Sequence, residues 1–530
     1  MALAYKKTRG TDMFRQLEER VGVEAAQNYN PLYARFFSLN DTNWNHVTLD
    51  HAELVEIEPS EGPVYNCTVK DTGKRPAKVF FKMGPLVDPS KFLTGAYRND
   101  TFELPTLQTG SPAKLTDQNN CAYVDGFFYY LTSRLKRAGF VHGVDFYGSY
   151  LGFKRDFRYN LEDDASYCIN TSYFAKHHRS LFTVHDLQER PKLSMEDDCT
   201  DELEITDLCD GLEPDVVMVD ATEPVVQEVV EHEVEVHEVV EPEVVNDPAP
   251  VRLSHSFCSS ATSNTEGSLD SDEEEDTDMS TSSYHSMDDT IAIIHRFPVQ
   301  VMAMEACEGT LDSVLRHMSA PELEGALLQI ILTLAAYNRV FMFTHNDLHT
   351  NNVMYVHTDV PYLYYQYNDV SYKVPTHGKI FKLIDFGRGI YTFQSRRFVS
   401  DSFAENGDAS SQYNIEPYFN EAKERLEPNY SFDLCRLACS MLDVLPESPE
   451  FDHLNKLVEE WCTDDKGRNV VYKQNGDERY PCFKLYKMIA RTVHAHTADA
   501  QFRRPMFQKY AIKRKHTKGF TVMNLDTLEA

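Results

Sequence analysis

Two short phrases, His345-Asn346-Asp347-Leu348-His349-Thr350-Asn351-Asn352 and Leu383-Ile384-Asp385-Phe386-Gly387, hold the residue types best suited to chemistry in this chain. Asp347 and Asp385 stand 38 residues apart. Asp385 and Asn352 offer hard oxygens of the kind magnesium takes. Asp347 offers a carboxylate able to accept the proton of an attacking hydroxyl. The set suits phosphoryl transfer, which asks for phosphate-bridging metal ions held still and a base beside the hydroxyl. A lone aspartate in a loop more often caps a helix, so the flanking elements decide between the two.

Those elements favour chemistry. Val353 to Val356 and Ile380 to Ile384 read as short apolar strands next to the two phrases. Glu322 to Phe341, apolar at Leu323, Ala326, Leu327, Ile330, Ile331 and Leu334, reads as a buried helix leading into the first phrase. Upstream, Ala77 to Lys82 alternates like a half-buried strand that ends in lysine, with Lys78 as the rival cation. Gly62 lies 20 residues before Lys82, within Pro59-Ser60-Glu61-Gly62-Pro63 and between extended stretches Glu53–Glu58 and Val64–Val69. The helix expected next, Asn119 to Leu135, contains Asp125 as its one acid, and a short solvated side chain is the expectation there. Asp433 opens a helix in Asn429 to Leu437, where a first-turn acid would also favour the helix dipole. Tyr362–Tyr367 and Val370–Val374, separated by Asn368-Asp369, predict a hairpin acting as a satellite packing element.

The two phrases resemble the catalytic loop and magnesium loop of the protein-kinase superfamily. The resemblance implies an α+β, bilobal fold with a small β-rich lobe and a large helical lobe. It implies that Lys82 positions ATP phosphates, that Asp347 takes the hydroxyl proton, that Asn352 and Asp385 hold Mg2+, and that Asp433 braces the catalytic loop. Gly62 takes the place of a glycine-rich phosphate loop, although one glycine between two prolines offers few N–H groups. Glu305 to Glu308 would be the hinge that meets adenine through its backbone, and Leu311 to His317 the first helix beyond it. Asn346 stands where such enzymes usually carry an arginine that pairs with a phosphorylated loop, and an amide cannot do that. His349 stands where serine/threonine kinases carry lysine near the transferred phosphate; an imidazole there opens a pH dependence. Together with Ala122–Asp125, Asp145–Ser149 and Arg479–Tyr486, these departures resemble kinases of nucleocytoplasmic large DNA viruses. That implies a serine/threonine protein kinase acting on protein substrates in the host cytoplasm, or one packaged in the virion. The rival readings are a small-molecule phosphotransferase, suggested by His349, and a pseudokinase scaffold, suggested by the poor phosphate loop.

Charge divides the chain unevenly. Residues 195–290 contain 30 acids and one base, Arg252; that block carries −29 of the chain's −31 and leaves −2 for the rest. Valine–glutamate repeats and a Ser/Thr/Asp/Glu tract with few aromatics predict disorder there. The expected organisation is an N-terminal extension (1–50, with a helix over Thr11–Asn28), the small lobe (51–194), the acidic insertion (195–290), and the end of the small lobe with the hinge (291–308). The large lobe (309–515) and a C-terminal tail (516–530) follow. No basic run points to a nucleic-acid patch, and no apolar stretch predicts a membrane span. Eleven cysteines without framework spacing fit reduced thiols in a soluble intracellular protein.

Overall fold

The computed structural model describes residues 3, 5–8, 10–107, 112–161, 164–184 and 291–529, which form a mixed α/β fold. Near the start, α1 (Thr11–Gln16) and one further turn to Val21 end sooner than the apolar pattern suggests. Gly22 takes φ 74°, a left-handed conformation that stops the helix, and β-branched Val23 then opens strand β1 (Val23–Gln27). The strands β2 (Glu53–Ile57), β3 (Val64–Lys70) and β4 (Lys74–Pro85) follow as a meander. Helix α2 (Cys121–Leu135) separates them from β5 (Phe146–Asn160), β6 (Phe182–Val184) and β7 (Ile291–Glu305). One antiparallel sheet results, in the order β1-β5-β7-β4-β3-β2, with β6 added on β7. From Phe146 to Asn160 the chain runs as one long strand, paired with β7 along its length. The acidic block 195–290 lies outside the described residues; the strands β6 and β7 that flank it are direct neighbours, with Phe182 opposite Ile294.

Helix α2 is buried along nearly its whole length and packs on this sheet. Two glycines allow it to come close. A Cβ on Gly126 would lie 2.4 Å from Gln300 Nε2, and one on Gly84 would lie 3.1 Å from the Ala122 Cβ. Asn120 caps the helix by accepting from Ala122 N at 3.1 Å.

After β7 the chain becomes mainly helical: α3 (Leu311–Leu315), then α4 (Ala320–Phe341), which starts with a capping box between Ser319 and Glu322. Strand β8 (Val353–His357) leads to the hairpin of β9 (Tyr362–Tyr367) and β10 (Val370–Pro375), and β11 (Lys379–Leu383) returns to pair with β8. The hairpin turn has Asn368 at φ 48° and Asp369 at φ 60°, as a two-residue turn of primed type requires. Helices α5 (Phe432–Met441), α6 (Asp452–Trp461) and α7 (Lys484–Thr492) come next. The hairpin is more than a satellite. It forms the middle of a four-stranded sheet with β12 (Ala511–Ile512) and β13 (Val522–Asn524), so residues expected to be a tail are built into the fold. Among the described residues no helix is long and apolar enough to cross a membrane, and the described cysteines are free thiols.

Candidate active site

Strands β8 and β11 set the two phrases side by side. Val353 lies opposite Leu383, and Ile384 N donates to Asn352 O at 3.0 Å. His345 Nε2 bonds Ile384 O at 2.9 Å, closing the other side of the pair. Both loops use left-handed backbone at a non-glycine residue, Asn346 at φ 64° and Asp385 at φ 63°. Such conformations cost on the order of 1 kcal/mol or more and persist where the surroundings over-determine them. Asp433, at the start of α5, accepts from both His345 N and Asn346 N at 2.9 Å. Asn346 Nδ2 donates to Arg388 O at 2.8 Å, and Tyr413 OH donates to Asn346 Oδ1 at 2.7 Å. Asn346 therefore fastens the loop by neutral hydrogen bonds where an arginine would have presented charge. Asp385 N is held by Tyr129 OH at 2.8 Å.

Lys82, on β4, crosses to this pair. Its Nζ lies 2.7 Å from Asp125 Oδ2 and 2.8 Å from Asp385 Oδ1, across 303 residues of sequence in the second case. Lys78, its rival, is exposed. Asp125 is thus an ion-pair partner, contrary to the solvated acid expected from its short reach. The close seating of α2 through Gly126 and Gly84 brings the backbone near enough for aspartate to span the gap. Its second oxygen accepts from Phe386 N at 2.7 Å. Phe386 is itself buried against Phe128 and Tyr129, with ring centroids 4.7 and 4.8 Å away. Burial alone would lower the Lys82 ammonium; the carboxylates of Asp125 and Asp385 outweigh it and hold that group charged, well above its ordinary range. Burial likewise pushes Asp385 up, but Lys82 prevails and keeps it below the usual carboxylate value.

Asp347 is buried, and its Oδ1 accepts from Tyr486 OH on α7 at 2.7 Å. Tyr486 OH is in turn held by Arg436 Nε at 2.9 Å. Burial raises the Asp347 carboxyl, and the Arg388 and Arg436 guanidinium groups with the Tyr486 hydrogen bond more than offset it, holding it below the usual carboxylate range. Asn352 Nδ2 donates to Asp347 O at 2.9 Å and faces His349 Nε2 at 3.1 Å. That fixes the amide with Oδ1 as its remaining ligand atom. An amide nitrogen can only donate, so His349 Nε2 is the acceptor. Burial takes the His349 imidazole down to about 4, so the ring is neutral near pH 7 and the pH dependence expected of it moves below the physiological range.

A cavity of about 470 Å³ opens beside these groups, lined by Lys82, Asp125, Asp347, Asp385 and Arg388 and by residues of the segment Asp401–Asp408. That segment is latched to α2: Asp401 accepts from Lys114 Nζ at 2.5 Å and from Cys121 N at 3.0 Å, in the helix's first turn. A carboxylate there completes open N–H groups and meets the positive end of the helix dipole.

The remaining expected residues are placed less tightly. Gly62 sits in the exposed turn between β2 and β3, its N–H 3.2 Å from Ser60 Oγ. Glu305, at the end of β7, has its carboxylate engaged by Lys382 Nζ at 2.6 Å and by Asp145 N at 3.1 Å. The N–H groups of Glu305, Ala306 and Glu308 are bonded to Asp145, Lys78 and Tyr355 carbonyls. Sequence reasoning missed Tyr129, Arg388, Asp401 and Tyr486. Arg388 alone carried a signal, as a charged residue directly after Gly387. No protein-family model matches this chain, and no curated protein matches it.

Proposed function

We propose that this protein is an ATP-dependent protein kinase that transfers the γ-phosphate to serine or threonine hydroxyls, with a bilobal kinase-like fold of the kind found in large DNA viruses. The observation that carries the reading is Lys82 bridged to Asp125 and Asp385 at 2.7 and 2.8 Å, in one cavity with Asp347. A charged lysine in that position meets nucleotide phosphates, and Asp347 orients the acceptor hydroxyl and takes its proton. The donor set fits magnesium. Asp385 keeps Oδ2 and Asn352 keeps Oδ1 once their other atoms are spent, and Mg2+ takes one or two protein oxygens with waters and substrate phosphates for the rest. Among the described residues no group of three or more His, Cys, Asp or Glu is placed to hold a metal by itself, which suits a site completed by a nucleotide. When bound there, Mg2+ would neutralise charge on the phosphates. The pinned amide of Asn352 and the Lys82-bound Asp385 keep both oxygens aimed, and Asp433 holds the loop that carries Asp347.

Incubating the purified protein with γ-labelled ATP and Mg2+ tests this, once against mixed proteins and once against a metabolite panel. Label on serine and threonine is the expected result. Label on a metabolite alone would favour the small-molecule phosphotransferase, and no label in either would favour the scaffold.

A further inference from the structure

Arg388 follows Gly387 directly, and its side chain is buried to 5% exposure. A guanidinium brings five N–H donors, and each one left unpaired in the interior costs free energy. Nε and Nη2 are spent on Asp408 Oδ2 at 3.1 and 2.7 Å. The rings of Phe483 and Tyr486 lie 5.6 and 5.4 Å from the guanidinium carbon. One edge of the group is thus clamped. Nη1 makes no hydrogen bond among the described residues; Asp347 Oδ2 stands 3.5 Å from it, longer than a normal hydrogen bond. Arg388 lines the same cavity as Lys82, Asp347 and Asp385. Its neighbours do not duplicate its charge there: Asn346 is an amide, and His349 Nε2 is occupied by Asn352 Nδ2 at 3.1 Å. Lys82 serves the other side, between Asp125 and Asp385.

The geometry points to Arg388 as a catalytic residue of the transfer proposed above, on which this rests: Nη1 donates to an oxygen of the phosphoryl group as it passes to the hydroxyl held at Asp347. In that step the hydroxyl oxygen bonds to the γ-phosphorus. The bond from that phosphorus to the β,γ-bridging oxygen breaks, and its electron pair stays on the departing ADP. The hydroxyl proton goes to the Asp347 carboxylate and from there to solvent. The transferring group carries negative charge on its outer oxygens, and a donor already fixed by Asp408 needs little reorganisation to meet it.

In the full-length protein, Arg388→Ala should lower kcat on the order of 10³-fold, the scale of a lost arginine finger, with KM for ATP little changed. Millimolar guanidinium chloride should restore part of that kcat. By calorimetry, Mg2+, ADP and aluminium fluoride together, which mimic the group in flight, should bind the parent far more tightly than Arg388→Ala, while ADP alone binds both alike. Arg388→Lys, which keeps a charge for Asp408, should still lose most of kcat, because one ammonium cannot span Asp408 and the phosphoryl group with fixed geometry. If Arg388 merely braced the segment around Asp408, guanidinium would restore nothing, and aluminium fluoride would bind parent and variant alike. Any of these outcomes, or parental kcat in Arg388→Lys, overturns the assignment. A parent protein that neither transfers phosphate nor binds ADP with aluminium fluoride would remove the reaction itself, and with it any role for Arg388.

Discussion

The loop that carries Asp347 and the loop that carries Gly62 are held in opposite ways. Around Asp347 the ties come from Asp433 on α5 and Tyr486 on α7, and the adjoining Asp385 loop is tied in turn to Lys82 on β4 and Asp125 on α2. Around Gly62 the exposed turn has Ser60 Oγ bonded to Gly62 and Val64, between two prolines that donate nothing. Buried ion pairs and doubly used carboxylates lose much when one partner goes, because a charge is left in the interior. An exposed turn with few bonds moves at little cost. The ties are concentrated on the buried charged groups, while the exposed Gly62 turn has few.

The largest expected effect lies at the fixed end. Asp385→Asn replaces a charged oxygen ligand by an amide and leaves Lys82 with Asp125 alone. Turnover should fall by about 10² to 10³ or more. Residual turnover near parental levels would break the contrast at its strongest point. Next, Asp433→Ala leaves the His345 and Asn346 N–H groups buried without an acceptor. Urea unfolding should show a loss of about 3 kcal/mol, the sum of two such orphaned donors.

Acid should loosen the same framework. His142 bonds Phe381 O and Tyr365 OH at 2.7 Å each, tying the loop after α2 to strands β9 and β11. Burial lowers its imidazole from 6.5 to about 4. Above about pH 6.5 the ring is neutral folded or unfolded and costs nothing. As pH falls from 6.5 to 4 the unfolded chain takes up a proton that the folded one refuses, so stability drops, by up to about 3 kcal/mol, and levels off below. Melting temperature followed across that window should fall more gently in His142→Gln than in the parent; equal slopes would show that the tie does not govern acid lability.

The contrast also explains what the sequence made legible. Helices and strands around the two phrases follow from their apolar periods, and Asp347, Asn352 and Asp385 are legible because side-chain chemistry at short spacing leaves a pattern, whereas Lys82, 303 residues from Asp385, is legible only through its own strand pattern. Asp125 was misjudged: reach alone argued against it, and the close approach that brings it to Lys82 depends on Gly84 and Gly126, which leave no period to count. Tyr486 reaches Asp347 across 139 residues through the folding of α7, a distance no local pattern encodes. The early end of α1 was readable only in hindsight, from Gly22 ahead of β-branched Val23.

A smaller effect is expected at the latch. Asp401 already supplies a negative charge to Lys114 and to the first turn of α2, and Asn346 offers no cation to a phosphorylated segment. Phosphatase-treated protein should keep its activity, while Asp401→Asn, which weakens the charge-assisted bonds by about 1 to 2 kcal/mol, should lose roughly tenfold. Activity that vanishes with phosphatase would mean that the carboxylate does not stand in for phosphate.

The smallest effect is expected where the contrast is most open to challenge. A Cβ at Gly62 meets nothing within 4 Å, and its φ lies outside the left-handed region, so Gly62→Ala costs neither space nor strain. As an exposed turn substitution it should change stability by no more than about 0.5 kcal/mol, and kcat/KM for ATP by roughly twofold. The alternative is a loop that closes on the phosphates with Gly62 at the point of nearest approach, where an added methyl group would push backbone donors away from their target. Such a loop would reveal itself by a tenfold or greater rise in KM for ATP with kcat retained, since the lost contact would be to the bound nucleotide rather than to the group in flight. A twofold change supports a cover that contributes little, and it places nucleotide binding on Lys82, Asp385 and the hinge.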